Sequence, residues 1–261
     1  YDSLTNLLKS GLITETNYEK ILKDFSDILK GIPQYVGDDT GDAYNSLTSL
    51  LKSGLITETN QEQVFTILKE IPKYAGTDTW KAYNNLVNLL KSGLITETNQ
   101  EQVFIILKEI PQYAGTGTWI AYDSLTILLK SGLITETNQE QVFTILKEIP
   151  QYAGIHTNSA YDSLANLFKL GLITETNQEQ VFTILKEIPQ YARIHTNSAY
   201  YSLSNLLESG LITETNQEQV FTILKEIPQY AGIYTNSAYN SLSNLLKSGL
   251  ITETNYEKIL K

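Results

Sequence analysis

Apolar residues recur along this chain with the spacing of helices, and no segment alternates as a half-buried strand would. In residues 161 to 199, Tyr161, Leu164, Leu167 and Phe168 fall at i, i+3, i+6 and i+7, while Asp162, Ser163, Asn166 and Lys169 lie outside that stripe. The spacing predicts an amphipathic first helix. Val181, Phe182, Ile184, Leu185 and Ile188 form the stripe of a second, with Gln178, Thr183, Lys186 and Glu187 facing away. Gly171 stands just past the first helix, where a left-handed C-terminal cap favours a residue without Cβ, and Leu172 can fold back on the preceding turn. Thr176 and Glu179 have the Thr-x-x-Glu spacing of a capping box. Pro189 is expected to end the second helix, because it lacks an N–H and restricts the residue before it. Residues 189 to 192 then form a further short turn, and Thr196 is the expected N-cap of the next helix.

This pattern is copied in tandem. Gly-Leu-Ile-Thr-Glu-Thr-Asn occurs seven times, at Gly11, Gly54, Gly93, Gly132, Gly171, Gly210 and Gly249. The first two copies are 43 residues apart and later ones 39, the period of a solenoid or array. The Thr-x-x-Glu pair recurs with them, from Thr16 and Glu19 to Thr254 and Glu257. In the first unit four extra residues enter the second helix, yet Ile21, Leu22, Phe25, Ile28, Leu29 and Ile32 stay on one stripe. An insertion of about 3.6 residues, one helical turn, preserves a buried face. Neither helix of a pair buries its stripe alone, so stacking on neighbouring pairs is required. The expected fold is all-α: an α-solenoid of two-helix repeats forming a single array over 1–261. Its units start at Tyr1, Tyr44, Tyr83, Tyr122, Tyr161, Tyr200 and Tyr239, the last incomplete. Residues 239 to 261 nearly repeat residues 1 to 23, and the array is expected to continue beyond them.

Composition narrows the function classes. The formal charge is −10, with Arg193 the only arginine, which argues against a nucleic-acid partner that needs Lys and Arg to displace counterions. Apolar runs such as Val103 to Leu107 are far too short to insert in a membrane. There is no Cys, so disulfides and thiolate metal sites are excluded, and Met is absent too.

Differences between units concentrate between the second helix of one and the first helix of the next. The copies read Asp38-Asp39-Thr40-Gly41-Asp42, Thr77-Asp78-Thr79-Trp80-Lys81, Thr116-Gly117-Thr118-Trp119-Ile120, Ile155-His156-Thr157-Asn158-Ser159, Ile194-His195-Thr196-Asn197-Ser198 and Ile233-Tyr234-Thr235-Asn236-Ser237. Only the middle Thr is constant. Loop drift around a capping Thr accounts for this. The sharper expectation is a partner-binding edge built on Asp78, Trp80, Trp119, His156, His195 and Tyr234, with the two tryptophans as anchors. His156 and His195, the only histidines, lack the further ligands of a zinc site, so no metal or cofactor is expected. His156, Ser159 and Asp162 are residue types of a hydrolase triad, but the next copy has Tyr201 in place of the Asp. Glu175 and Glu179 suit a solvated helix start better than an acid and base pair. The tyrosines of the repeated Pro-Gln/Lys-Tyr, Tyr35 to Tyr230, are expected to pack between units.

The stretch Leu89 to Asn99, Leu-Leu-Lys-Ser-Gly-Leu-Ile-Thr-Glu-Thr-Asn, resembles the helix, Gly-Leu-Leu/Ile-Thr-x-x-Asn, helix element of effector proteins secreted by intracellular bacteria. That resemblance implies a host-directed scaffold of a secreted bacterial protein, acting in the host cytoplasm or at a cell surface, with no catalytic residue to carry over. At the level of architecture the period is also similar to HEAT-like repeats. Three functions follow. A non-catalytic scaffold binding a protein or peptide partner is favoured; a structural spacer or surface stalk is the alternative. A nucleic-acid reader resembling transcription-activator-like repeats is opposed by the acidity.

Overall fold

A computed structural model describes residues 2–174 and 176–249. Glu175 and the capping pair expected at Thr254 and Glu257 lie outside the described residues. The described residues form helices, short 3-10 turns and connecting turns, without a strand. They fall into two compact units. The first, within Tyr1–Lys130, holds α1 (Asp2–Lys9), α2 (Tyr18–Tyr35), α3 (Thr40–Lys52), α4 (Gln61–Ala75), α5 (Thr79–Lys91), α6 (Gln100–Ala114) and α7 (Thr118–Lys130). The second, within Ser131–Lys261, holds α8 (Gln139–Ala153), α9 (Thr157–Lys169), α10 (Gln178–Ala192), α11 (Thr196–Glu208), α12 (Gln217–Ala231) and α13 (Thr235–Lys247).

Each unit is an all-α solenoid. In the first, α1, α3, α5 and α7 stack in series, as do α2, α4 and α6. In the second, α9, α11 and α13 form one row and α8, α10 and α12 the other. The two rows are joined where α4 meets α5 or α10 meets α11, across a 3-10 turn such as Gly76–Asp78 or Arg193–His195. The closed hairpin therefore runs from a second helix into the following first helix. The heptapeptide connects one hairpin to the next.

The predicted stripes are the core. Val64, Phe65, Ile67, Leu68 and Ile71 of α4 and Ala82, Tyr83, Leu86 and Leu89 of α5 are buried, and the equivalent positions of α8, α9, α10 and α11 repeat this in the second unit. Each large apolar side chain so buried contributes about 1.5–3 kcal/mol. In the long α2, Ile21, Phe25, Ile28 and Ile32 remain on one buried face, as the insertion of one turn predicts.

The heptapeptide glycines are left-handed, with φ from 64° at Gly171 to 76° at Gly11, as expected of a C-terminal cap. The capping box is not formed. The residue before α4 is Asn60, with no side-chain cap bond, and Asn99, Asn138, Asn177 and Asn216 repeat this. The chain is already wound so tightly there that the Thr57 carbonyl accepts the N–H groups of both Asn60 and Gln61, at 3.2 and 2.9 Å. The Thr59 hydroxyl pairs with Thr57 at 2.9 Å, and the Glu62 carboxylate reaches Lys20 of α2 at 2.6 Å. Asn60 instead clamps the linker: its Oδ1 accepts the Thr57 N–H at 2.8 Å and its Nδ2 donates to the Leu55 carbonyl at 3.0 Å. The same clamp closes at Asn17, Asn99, Asn138, Asn177 and Asn216.

The prolines do not end the second helices. α10 runs through Pro189 to Ala192, and α4, α6, α8 and α12 likewise pass their prolines. A proline inside a helix leaves the carbonyl four residues back without its N–H partner. Here a tyrosine supplies the replacement donor. The Tyr83 hydroxyl donates to Leu68, four residues before Pro72, at 2.9 Å, and Tyr122 donates to Leu107, four before Pro111, at 2.7 Å. Tyr44 serves Leu29 and Pro33 at 2.9 Å, Tyr161 serves Leu146 and Pro150 at 3.0 Å, and Tyr200 serves Leu185 and Pro189 at 3.0 Å. Tyr239 is the longest, 3.4 Å from the Leu224 carbonyl before Pro228. The donor is the tyrosine that opens the next repeat, on the first helix of the following pair, so each tyrosine-to-leucine bond locks a hairpin shut. The other tyrosine series is peripheral: Tyr35 and Tyr230 are exposed and Tyr74, Tyr113, Tyr152 and Tyr191 half-buried.

Candidate functional site

The variable segments form the 3-10 turns and the starts of the first helices. Their constant Thr is the first helical residue and is no N-cap. Thr79, Thr118, Thr157, Thr196 and Thr235 are fully buried, and each hydroxyl donates backwards to the carbonyl that opens the 3-10 turn, at 2.6–2.7 Å. For Thr196 that acceptor is Arg193. The Thr is invariant because it ties the turn to the helix, which leaves the residues on either side free to vary.

Three of the six candidate residues come together, around a side chain that the sequence reading did not single out. In the first unit α5 and α7 are neighbours, and Lys81 projects between Trp80 of its own helix and Trp119 of the next. Its Nζ lies 5.6 Å from the Trp80 ring centroid, 5.1 Å from that of Trp119, and 2.7 Å from Asp78 Oδ1. Cation–π attraction operates at such distances. Asn85, one turn further along α5, donates its Nδ2 to the Trp119 carbonyl at 2.6 Å and so fixes the start of α7 against α5. Trp80 and Trp119 are half-buried, with the Lys81 and Asp78 side chains 36% and 25% exposed, so the cluster is open to solvent at its rim. The signal for Lys81 lay in the same comparison of copies: its counterparts are Asp42, Ile120, Ser159, Ser198 and Ser237.

In the second unit His156, His195 and Tyr234 are exposed on successive 3-10 turns that pack on one another. Ile155, Ile194 and Ile233 stand beside them, 65%, 52% and 43% exposed, where the first unit has Thr77 and Thr116. These six side chains edge the stack, and among the described residues no group of three or more His, Cys, Asp or Glu could hold a metal ion. Arg193 on the middle turn has φ 52° and ψ −123°, a conformation that Gly76, Gly115, Gly154 and Gly232 share and that side chains disfavour. Seams between successive second helices, such as that lined by Glu140, Thr144, Glu179, Phe182 and Lys186, are shallow and polar.

No protein family model, no curated protein and no solved structure matches this chain. The fold defines the class: a tandem helical repeat protein of the α-solenoid kind. Among the described residues no helix is long and apolar enough to cross a membrane. The resemblance to effector repeats rests on the heptapeptide, and the structure assigns that peptide to helix termination and the asparagine clamp.

Proposed function

We propose that this chain is a non-catalytic scaffold that engages a protein or peptide partner through the variable edge of its repeats, within a larger secreted bacterial protein. One observation carries the reading: the chain's two tryptophans stand half-exposed on neighbouring first helices, around one lysine, in units whose buried positions are nearly invariant. Tryptophan is among the residues most enriched at the energetic anchors of interfaces, and a partner seated over the pair would take both indoles out of water. The constant Thr, Pro and Tyr hold the scaffold, and the turns carry the differences. A peptide library panned on the whole chain should yield binders that the Trp80→Ala, Trp119→Ala double variant retains at no more than about a tenth of the affinity, the order of loss typical of anchor residues. Circular dichroism of that variant should stay helical. A library that yields no binder to the folded chain would leave the spacer reading in its place.

A further inference from the structure

The geometry points to Asp78, Trp80 and Trp119 as a cation site built to receive an arginine side chain from a basic segment of the partner, with Lys81 as its exchangeable internal occupant. This inference rests on the scaffold reading and names the chemistry of the partner. Two indoles and one carboxylate converge on a single ammonium group, with Nζ 2.7 Å from Asp78 and 5.1 and 5.6 Å from the ring centroids. Each of the three attracts positive charge, and a planar guanidinium meets all of them at once, because it stacks on aromatic faces while its forked N–H groups pair with a carboxylate.

Lys81 is held weakly enough to leave. Its pair with Asp78 joins the first turn of α5 to the 3-10 turn just before it and is 36% and 25% exposed, the kind of ion pair that contributes little. Its ring contacts are to half-buried indoles at a rim open to solvent, where cation–π attraction is modest. Lys81 keeps the indoles apart and the carboxylate compensated until a stronger cation arrives. The overall charge of −10 draws basic segments toward the chain and repels acidic ones. No other unit repeats the arrangement: the counterparts of the tryptophans are Gly41, Asn158, Asn197 and Asn236.

The chain contains no tryptophan other than these two, so intrinsic indole fluorescence reports on this site alone. The whole chain is titrated with acetyl-Gly-Arg-Gly-amide, and with acetyl-Gly-Gln-Gly-amide at matched ionic strength. The arginine peptide should give a saturable change in emission and the glutamine peptide none. Lys81→Gln, which removes the internal competitor, should reach half-saturation at a lower concentration than wild type, by up to about fivefold, since an exposed pair contributes no more than about 1 kcal/mol. Asp78→Asn, which leaves both indoles in place, should need severalfold more peptide than wild type. The inference is overturned if the two peptides act alike, or if Lys81→Gln binds no better than wild type. A library-selected peptide that binds the chain without altering indole emission would sink the cation site and leave the scaffold reading standing.

Discussion

At the scale of the single residue, the most consequential pairing is a proline with a tyrosine eleven positions on, as in Pro150 and Tyr161. The proline removes a backbone donor inside a helix, and the phenol replaces it from the neighbouring helix at 3.0 Å. Tyr161→Phe leaves the Leu146 carbonyl buried without a partner, at a cost of about 1–3 kcal/mol. In a Pro150→Ala background the restored N–H takes that carbonyl, so the same substitution should cost about 1 kcal/mol less. Urea unfolding of the four variants measures the coupling, and equal costs in both backgrounds would refute the replacement. Arg193 offers the opposite case. It holds a left-handed conformation that glycine holds in the equivalent turns, which costs a non-glycine residue about 1–3 kcal/mol. Arg193→Gly should raise stability by about 1 kcal/mol, net of the added freedom of the unfolded chain. An unchanged or lower thermal midpoint would show that the exposed arginine makes a compensating contact.

At the scale of the element, helices were legible because burial follows the 3.6-residue period whatever the caps do. The stripes of Val181, Phe182, Ile184, Leu185 and Ile188 and of Leu164 and Leu167 are all buried. The glycine caps were legible too, since a left-handed residue has one preferred identity. What the sequence hid was long-range compensation. Pro189 signals a helix end locally, and only Tyr200 of the next helix, reaching Leu185, reverses that signal. Likewise Thr and Glu spaced for a capping box also fit a linker held by its final Asn. The two accounts predict different losses. Asn138→Ala removes both bonds of the clamp, to the Thr135 N–H and the Leu133 carbonyl, and should cost about 1–2 kcal/mol. Thr137→Ala removes only an exposed hydroxyl contact and should cost under about 0.5 kcal/mol, whereas loss of an N-cap costs about 1. A larger loss for Thr137 than for Asn138 in urea unfolding would restore the capping box. The cation cluster was legible in part: Asp78, Trp80 and Trp119 stood out as unusual between copies. Lys81 at their centre emerged only once α5 and α7 were placed side by side.

At the scale of the whole molecule, the locking tyrosines form one repeated ionisable element, and that gives the chain a characteristic alkaline limit. Burial raises the phenols of Tyr161, Tyr200 and Tyr239 well above their ordinary value. For Tyr83 burial and then the nearby Tyr44 act in the same direction, and burial raises Tyr44 as well. In the unfolded chain a tyrosine titrates near pH 10. A folded-state pKa above that means the native state binds more protons than the unfolded one once pH passes about 10. The stabilisation is therefore complete below about pH 10 and is lost as pH rises from there toward the folded value. Each fully buried phenol contributes a slope of up to about 1.4 kcal/mol per pH unit in that window. Their contributions add, because repeat arrays sum nearly independent local terms. Stability should accordingly fall more steeply above pH 10 than one titrating group allows, and each Tyr→Phe substitution should remove one group from the slope. The cost of Tyr161→Phe, measured by urea unfolding, should thus shrink by about 1.4 kcal/mol between pH 9 and pH 11. Lysine titration is common to both chains and cancels in that difference. A cost that stays constant across the two pH values would mean that the Tyr161 phenol ionises as readily in the folded chain as in the unfolded one, which its full burial against the Leu146 carbonyl forbids.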